Sequence, residues 1–242
     1  MDFPSEAAAV AVCNRGVLTK SVIELWAEAT NYEGLVEASR QVPPTVSAPH
    51  FESTVSWSCH VDAFGLSYSL ERQAEIRCHL KHLPFQGPVR CKDPDQTFWI
   101  IERHDSAAGG APVPTDSKPA RIYFGREVAR SASRRLVSKC DLKKRPYLGP
   151  TSMDNELSLV MANMALVRKG SVVLDPFVGT GSILFACSHF GAFCMGTDID
   201  VRVLRGKDGS NVFTNFDEFA LARPELVRCD TSMYVESVPP SS

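Results

Sequence analysis

Residues 172–200 read VVLDPFVGTGSILFACSHFGAFCMGTDID. A β-like run at 171–175 meets the glycine-rich loop PFVGTG, the apolar helical pattern SILFACSHF follows, and AFCMGTDID supplies a second strand and its terminal loop. Upstream, TSMDNELSLVMANMALV at 151–167 predicts a helix capped by Thr151 or Ser152, with Leu157, Val160, Met161 and Met164 on one buried face. ELVRCD at 225–230 is a candidate third strand. Short connections between alternating helices and apolar strands predict a parallel sheet covered by helices, an α/β architecture.

The turn between Asp175 and Gly181 is built to cradle a ligand, and its residues sort the candidates. A nucleoside triphosphate site needs GxxxxGK[ST], because the lysine reaches the outer phosphates and the hydroxyl holds magnesium. Ser182 and Ile183 follow Gly181 instead, with no lysine. A dinucleotide site wants GxGxxG, and Gly179 and Gly181 satisfy its first two positions, but position 184 is leucine. Asp175, four residues before the first glycine, would repel a pyrophosphate yet suits an ammonium. Asp198 or Asp200, ending the second strand, stands where an acid takes ribose hydroxyls. Asp230, after the third strand, is placed to accept from an adenine amino group. One ammonium, one ribose and one adenine without phosphate describe S-adenosylmethionine.

At 242 residues the chain is long enough for a real core, and 44% hydrophobic with 22% charged residues places it among globular proteins. No apolar run reaches membrane-spanning length and the N-terminus carries no signal-peptide pattern, so a cytoplasmic protein without a membrane partner is expected. Eight cysteines occur without a CxxC pair, so neither a zinc ligand set nor a disulfide framework is expected.

The first 120 residues give an α+β outline. SVIELWAEATNYEGLVEAS at 21–39 reads as two helical pieces broken around Asn31 and Gly34. FESTVSWSCHVDAFG at 51–65 alternates as a strand, Ser69 to Leu80 is helical, and Thr97–Ile101 and a short run ending at Gly125 are further strands. Residues 105–120 form a Gly/Pro/Ala-rich loop. Residues 121–145 hold nine Lys or Arg against two acids, while 1–120 hold ten against fifteen and 154–242 seven against eleven. Such a local field can attract a polyanion while the whole chain stays near neutral.

DPFVGTGSILFACSHFGAFCMGTDID resembles the cofactor half of class I methyltransferases. With SVIELW (21–26), LPFQGPV (83–89), IYFGREVA (122–129) and KKRPYLGPTSMDNELSLVMANMALV (143–167), the chain is similar to the tRNA (guanine-10-N2)-methyltransferase catalytic subunits, the Trm11 family. The resemblance implies a partial THUMP-type RNA-binding region over 1–120, a basic inter-domain segment over 121–150, and the start of a Rossmann-like methyltransferase domain over 151–242. It implies S-adenosylmethionine as cofactor, guanosine 10 of tRNA as substrate, and a small zinc-containing activator of the Trm112 type as partner. The expected cofactor-binding set is Asp175, Pro176, Phe177, Gly179, Thr180, Gly181, Asp198, Asp200 and Asp230. Arg134, Arg135, Lys143, Lys144 and Arg145 are the expected contacts to tRNA phosphates. The family's Asp-Pro-Pro-Tyr motif, which holds the flipped-out acceptor base, has no counterpart here, so no catalytic residue is assigned and a chain truncated at both ends is expected. The alternatives are a non-catalytic RNA- or partner-binding protein and a nicotinamide-dependent oxidoreductase.

Overall fold

The computed structural model describes residues 2–64, 66–105, 117–131, 136–138, 141–149 and 152–231. The chain divides into two compact units, one of residues 1–10 and 21–130, the other of 11–20 and 131–242.

In the first unit, β1 (Ser21–Ala29), β2 (Trp57–Ala63), β3 (Gln96–Arg103) and β4 (Arg121–Arg130) form a sheet in the order β1-β4-β3-β2. β2 and β3 run parallel and the other pairs antiparallel. Parallel neighbours need a crossover, and α4 (Leu70–Cys78), capped by Ser69, lies in the one between them. α1 (Glu6–Arg15), whose residues from Ala11 onward belong to the second unit, precedes the sheet, α2 (Tyr32–Arg40) follows β1 with Asn31 accepting from the Gly34 N–H at 2.7 Å, and α3 (Pro44–Ser47) is a single turn. Phe98, Ile100, Ile122 and Phe124 of the inner strands meet Leu35 and Ile76 of the helices in the core. On the same face, Tyr32, Tyr68 and His104 converge on the buried Glu102 carboxylate.

Three expectations change here. SVIELWAEA is a strand, not a helical piece: its spacing suits both, and pairing with β4 wins, with a bulge at Trp26. The run through Gly125 does not stop there, because β4 continues to Arg130. Nor is 121–150 an inter-domain segment throughout. Its first ten residues are an inner strand, and their arginines are matched by acids of the same unit: Arg121 by Glu28, Arg126 by Glu24 and Glu6, Arg130 by Glu127.

In the second unit, β5 (Val172–Asp175), β6 (Phe193–Asp198) and β7 (Glu225–Arg228) form a parallel sheet in sequence order, as the alternating pattern predicts. The helices are α5 (Asn155–Met164), α6 (Ser182–His189), α7 (Val201–Arg205) and α8 (Val212–Glu218). Leu159, Ala162, Leu184, Phe185, Val212 and Phe216 are buried together. α5 turns the other way from its predicted face. Asn155, Ser158, Leu159 and Ala162 are buried; of the predicted face Val160 is half-buried against the core, while Leu157, Met161 and Met164 are exposed. Small residues let α5 lie close to α6, and closeness outweighs side-chain size. Its cap is Asp154, accepting from the Leu157 N–H; Thr151 lies outside the described residues.

The described cysteines 13, 59, 78, 91, 187, 194 and 229 are free thiols. Burial pushes the Cys59 and Cys194 thiols up to about 12 and Cys187 to about 11, which disfavours the nucleophilic thiolate in all three. Among the described residues no helix is long and apolar enough to cross a membrane.

At Gly125 the β1 backbone leaves no room for a side chain: a Cβ there would lie 2.1 Å from the Glu24 carbonyl oxygen. Gly125→Ala should therefore cost about 1–3 kcal/mol, read as a lower urea midpoint with unchanged slope. An unaltered midpoint would contradict this packing.

Candidate functional site

β5 and β6 pair with Asp175 opposite Gly196. Side chains alternate along a strand, so Asp198, two residues beyond Gly196, shares its face with Asp175. Both carboxylates thus reach the carboxyl end of the sheet on one side, at the topological position where open α/β sheets bind ligands. The turn that joins β5 to α6 closes over them. Gly179 and Gly181 both take positive φ, +50° and +82°, and the space beside Gly179 is open.

The close packing that a third motif glycine provides in dinucleotide sites is obtained differently. Leu184 occupies that helix position and is fully buried, while the missing Cβ is on the strand, at Gly196. A methyl there would come within 2.6 Å of Val178 and 2.9 Å of Leu184.

Asp198 ties the site together. One oxygen accepts from the Gly179 N–H at 3.0 Å and the other from the Asp200 N–H at 2.9 Å. Asp175 is buried and accepts from the Phe177 N–H at 3.0 Å. Burial raises its carboxyl above the ordinary carboxylate range, the Asp198 charge adds to this, and the Phe177 hydrogen bond only partly offsets it. A buried acid in that condition favours a cationic partner. Asp200 differs. It caps α7 and meets the Arg202 guanidinium with both oxygens, which holds its carboxyl down at about 2.

These groups border a cavity of about 670 Å³. Of the predicted set, Asp175, Phe177, Gly179, Thr180 and Asp198 line it, and Pro176, Gly181, Asp200 and Asp230 do not. Pro176 gives its carbonyl to Thr197 Oγ1 at 3.0 Å, and Gly181 is the cap of α6. Asp230 is exposed beyond β7.

Sequence reading missed the opposite wall, residues 146–149 with Ser152 and Met153. Tyr147 and the fully buried Asn215 of α8 exchange two hydrogen bonds, at 2.9 and 2.8 Å, and the Tyr147 hydroxyl donates to the Val203 carbonyl at 2.8 Å. Ser152 Oγ lies 2.8 Å from Thr180 Oγ1, joining this wall to the glycine turn. Arg145 anchors its start, donating to Ser182 and Asn155 at 3.1 Å each, with its guanidinium 4.2 Å from the Phe185 ring centroid. Arg145 is buried, which corrects its assignment as a phosphate contact. Lys143 and Lys144 are exposed, and Arg134 and Arg135 lie outside the described residues.

The domain family described as the Tmrp11 THUMP N-terminal domain matches residues 1–134, and that described as the RMKL-like methyltransferase domain matches residues 143–206. The crystal structure of TrmN from Thermus thermophilus has the same fold, with a TM-score of 0.50 at 15% identity over 99% of this chain and 64% of that one. Together they define the class: a THUMP-type region followed in sequence by a methyltransferase-type α/β domain. The tRNA (guanine(10)-N(2))-methyltransferase TRMT11 of Homo sapiens is 36% identical over 206 residues, covering 85% of this chain and 43% of that protein. The tRNA (guanine(10)-N(2))-methyltransferase of Schizosaccharomyces pombe is 34% identical over 210 residues, covering 86% and 42%. The chain belongs to the Trm11 family. It spans less than half the length of these curated relatives.

The Asn215 clamp is open to test. Asn215→Ala leaves the N–H and carbonyl of Tyr147 without these partners, an expected loss of about 1–3 kcal/mol. Hydrogen exchange should show the Tyr147 amide opening faster while the amides of β6 keep their protection. Equal protection of Tyr147 in both proteins would refute the clamp.

Proposed function

We propose that the cavity binds S-adenosylmethionine and that the chain serves N2-methylation of guanosine 10 in tRNA, in the cytoplasm, with a small zinc-containing activator of the Trm112 type. The observation that carries this reading is the pair Asp175 and Asp198 on one face of the sheet, flanking an open glycine turn. The cavity volume falls within the usual range for small-molecule sites. The residue types also fit: a buried acid that favours a cation for the ammonium, a second acid for ribose hydroxyls, and no pyrophosphate cradle. Kinship with tRNA (guanine(10)-N(2))-methyltransferases supports the acceptor, while the activator follows from the family resemblance alone.

When bound, the donor supplies a methyl group on a sulfonium, which needs placement more than acid–base assistance. Asp175 holds the ammonium end, and Asp198 holds the ribose while its two backbone bonds keep the glycine turn in place. Gly179 leaves the room a side chain would take. The wall from Pro146 to Met153 limits access of water on the opposite side. Lys143 and Lys144 are the described members of the expected phosphate-binding set that remain available to RNA.

Calorimetry on the purified chain should show binding of S-adenosylhomocysteine and none of a nicotinamide dinucleotide; the reverse preference would refute the assignment. Asp175→Asn should weaken binding about 10- to 100-fold, the range of a hydrogen bond to a charged group. Because burial raises the Asp175 carboxyl, protonation removes the ammonium partner at a pH above the ordinary aspartate value of about 3.9. Affinity should hold near neutrality and fall with acid through that raised range, and Asp175→Asn should abolish the fall. Any methyl transfer to tRNA that the chain supports with the activator present should disappear when guanosine 10 is replaced by adenosine; transfer that survives the replacement excludes this acceptor.

A further inference from the structure

Three acids, Asp175, Asp198 and Asp208, line the cavity, and among the described residues Lys207 is its one basic lining side chain. An amino-acid donor brings a carboxylate as well as an ammonium. Three acids repel that carboxylate unless a cation meets it.

Lys207 is held in a built turn. Asp208 and Gly209 both take positive φ, +52° and +79°, the pattern of a tight Asp-Gly turn. Lys207 and Ser210 exchange backbone hydrogen bonds at 2.8 and 2.9 Å across it. Gly206 is forced by the same geometry, since a Cβ would lie 2.0 Å from the Ser210 carbonyl oxygen. Asn211 then caps α8 reciprocally with Thr214. Val212, the first residue of α8, packs against Gly181, where a Cβ would come within 2.9 Å of its side chain. The turn is thereby fastened beside the start of α6, next to the glycine turn. No ion pair to Lys207 is formed by the described residues. The match to the methyltransferase domain ends at residue 206, one position before it.

We propose that Lys207 is the counter-ion for the donor's α-carboxylate, so that Asp175 and Lys207 together read the zwitterionic amino-acid end. This rests on the cavity being the S-adenosylmethionine site. It makes Lys207 a specificity determinant: it separates donors that keep the carboxyl group from those that lack it.

The test compares binding of S-adenosylmethionine and decarboxylated S-adenosylmethionine by calorimetry, using the whole chain as wild type, Lys207→Gln and Lys207→Arg. The wild type should prefer the intact donor by about 10-fold or more, the size of one charge-assisted hydrogen bond. Lys207→Gln should bring the two affinities together by weakening only the intact donor, and Lys207→Arg should keep most of the preference. Thermal melting controls for the fold, and Lys207 is exposed, so the variants should melt with the wild type. A Lys207→Gln protein that keeps the wild-type preference overturns the proposal, as does one that loses both ligands equally. Unchanged donor affinities with weaker tRNA binding overturn it in favour of a phosphate contact. A wild type that binds neither ligand removes the underlying donor-site reading itself, an outcome distinct from the other three.

Discussion

The two hydrogen bonds that Asp198 accepts from Gly179 and Asp200 tie the glycine turn, 19 residues upstream, to the end of β6 and the start of α7. Neither loop has secondary structure to fix it at that point, and a carboxylate accepting backbone N–H groups is among the stronger polar contacts available. Gly196 makes the arrangement possible. Only without a Cβ there can Val178 and Leu184 sit against the strand, and only then does Gly179 come within reach of Asp198. The cavity is therefore a consequence of strand–turn packing before it is a matter of ligand chemistry.

Charge is distributed by the same economy. The basic excess of 121–145 has the look of a surface for a polyanion, but the fold uses most of its described part internally. Three arginines of β4 are matched with acids of the first unit. Arg145 is sunk between α5 and α6, where its plane lies over an aromatic ring and its donors reach two side-chain oxygens. A guanidinium suits such a place better than an ammonium, since it is weakly hydrated and stacks on aromatic rings. In the second unit, Asp200 is neutralised by Arg202, and of these two acids at the end of β6 it is Asp198 that lines the cavity.

Much of the second unit was legible because its strands are short, apolar and bounded by glycine and aspartate, so no other period competes. The first unit was less so. SVIELWAEA carries β-branched and helix-forming residues together, and only the partner strand decides between them. The face of α5 was misread because hydrophobic pattern weighs large side chains, whereas the contact with α6 selects Ser158 and Ala162 for closeness. The Asp198/Asp200 ambiguity cannot be resolved by spacing, since both residues end the same run. It is Arg202, two residues beyond Asp200, that separates them. The wall around Tyr147 escaped because its partner Asn215 lies 68 residues away and has no motif of its own.

The two faces of the second sheet meet different fates. On the side of Val173, Cys194 and Leu226, helices provide cover. On the other side Val172, Leu174, Phe193, Met195 and Val227 are exposed, Val172 by 72% and Phe193 by 70%. Parallel strands are ordinarily buried on both faces, and each large apolar side chain left in water forgoes about 1.5–3 kcal/mol. The alternation that exposes these residues places Asp175, Gly196 and Asp198 on the covered side. The glycine turn, α6 and α8 pack there as well, and α8 carries the turn of Lys207. The geometry of the acid pair thus depends on a single helical layer. Whatever covers the apolar face bears on the stability of the unit, while the positions of Asp175 and Asp198 follow from contacts that are already made.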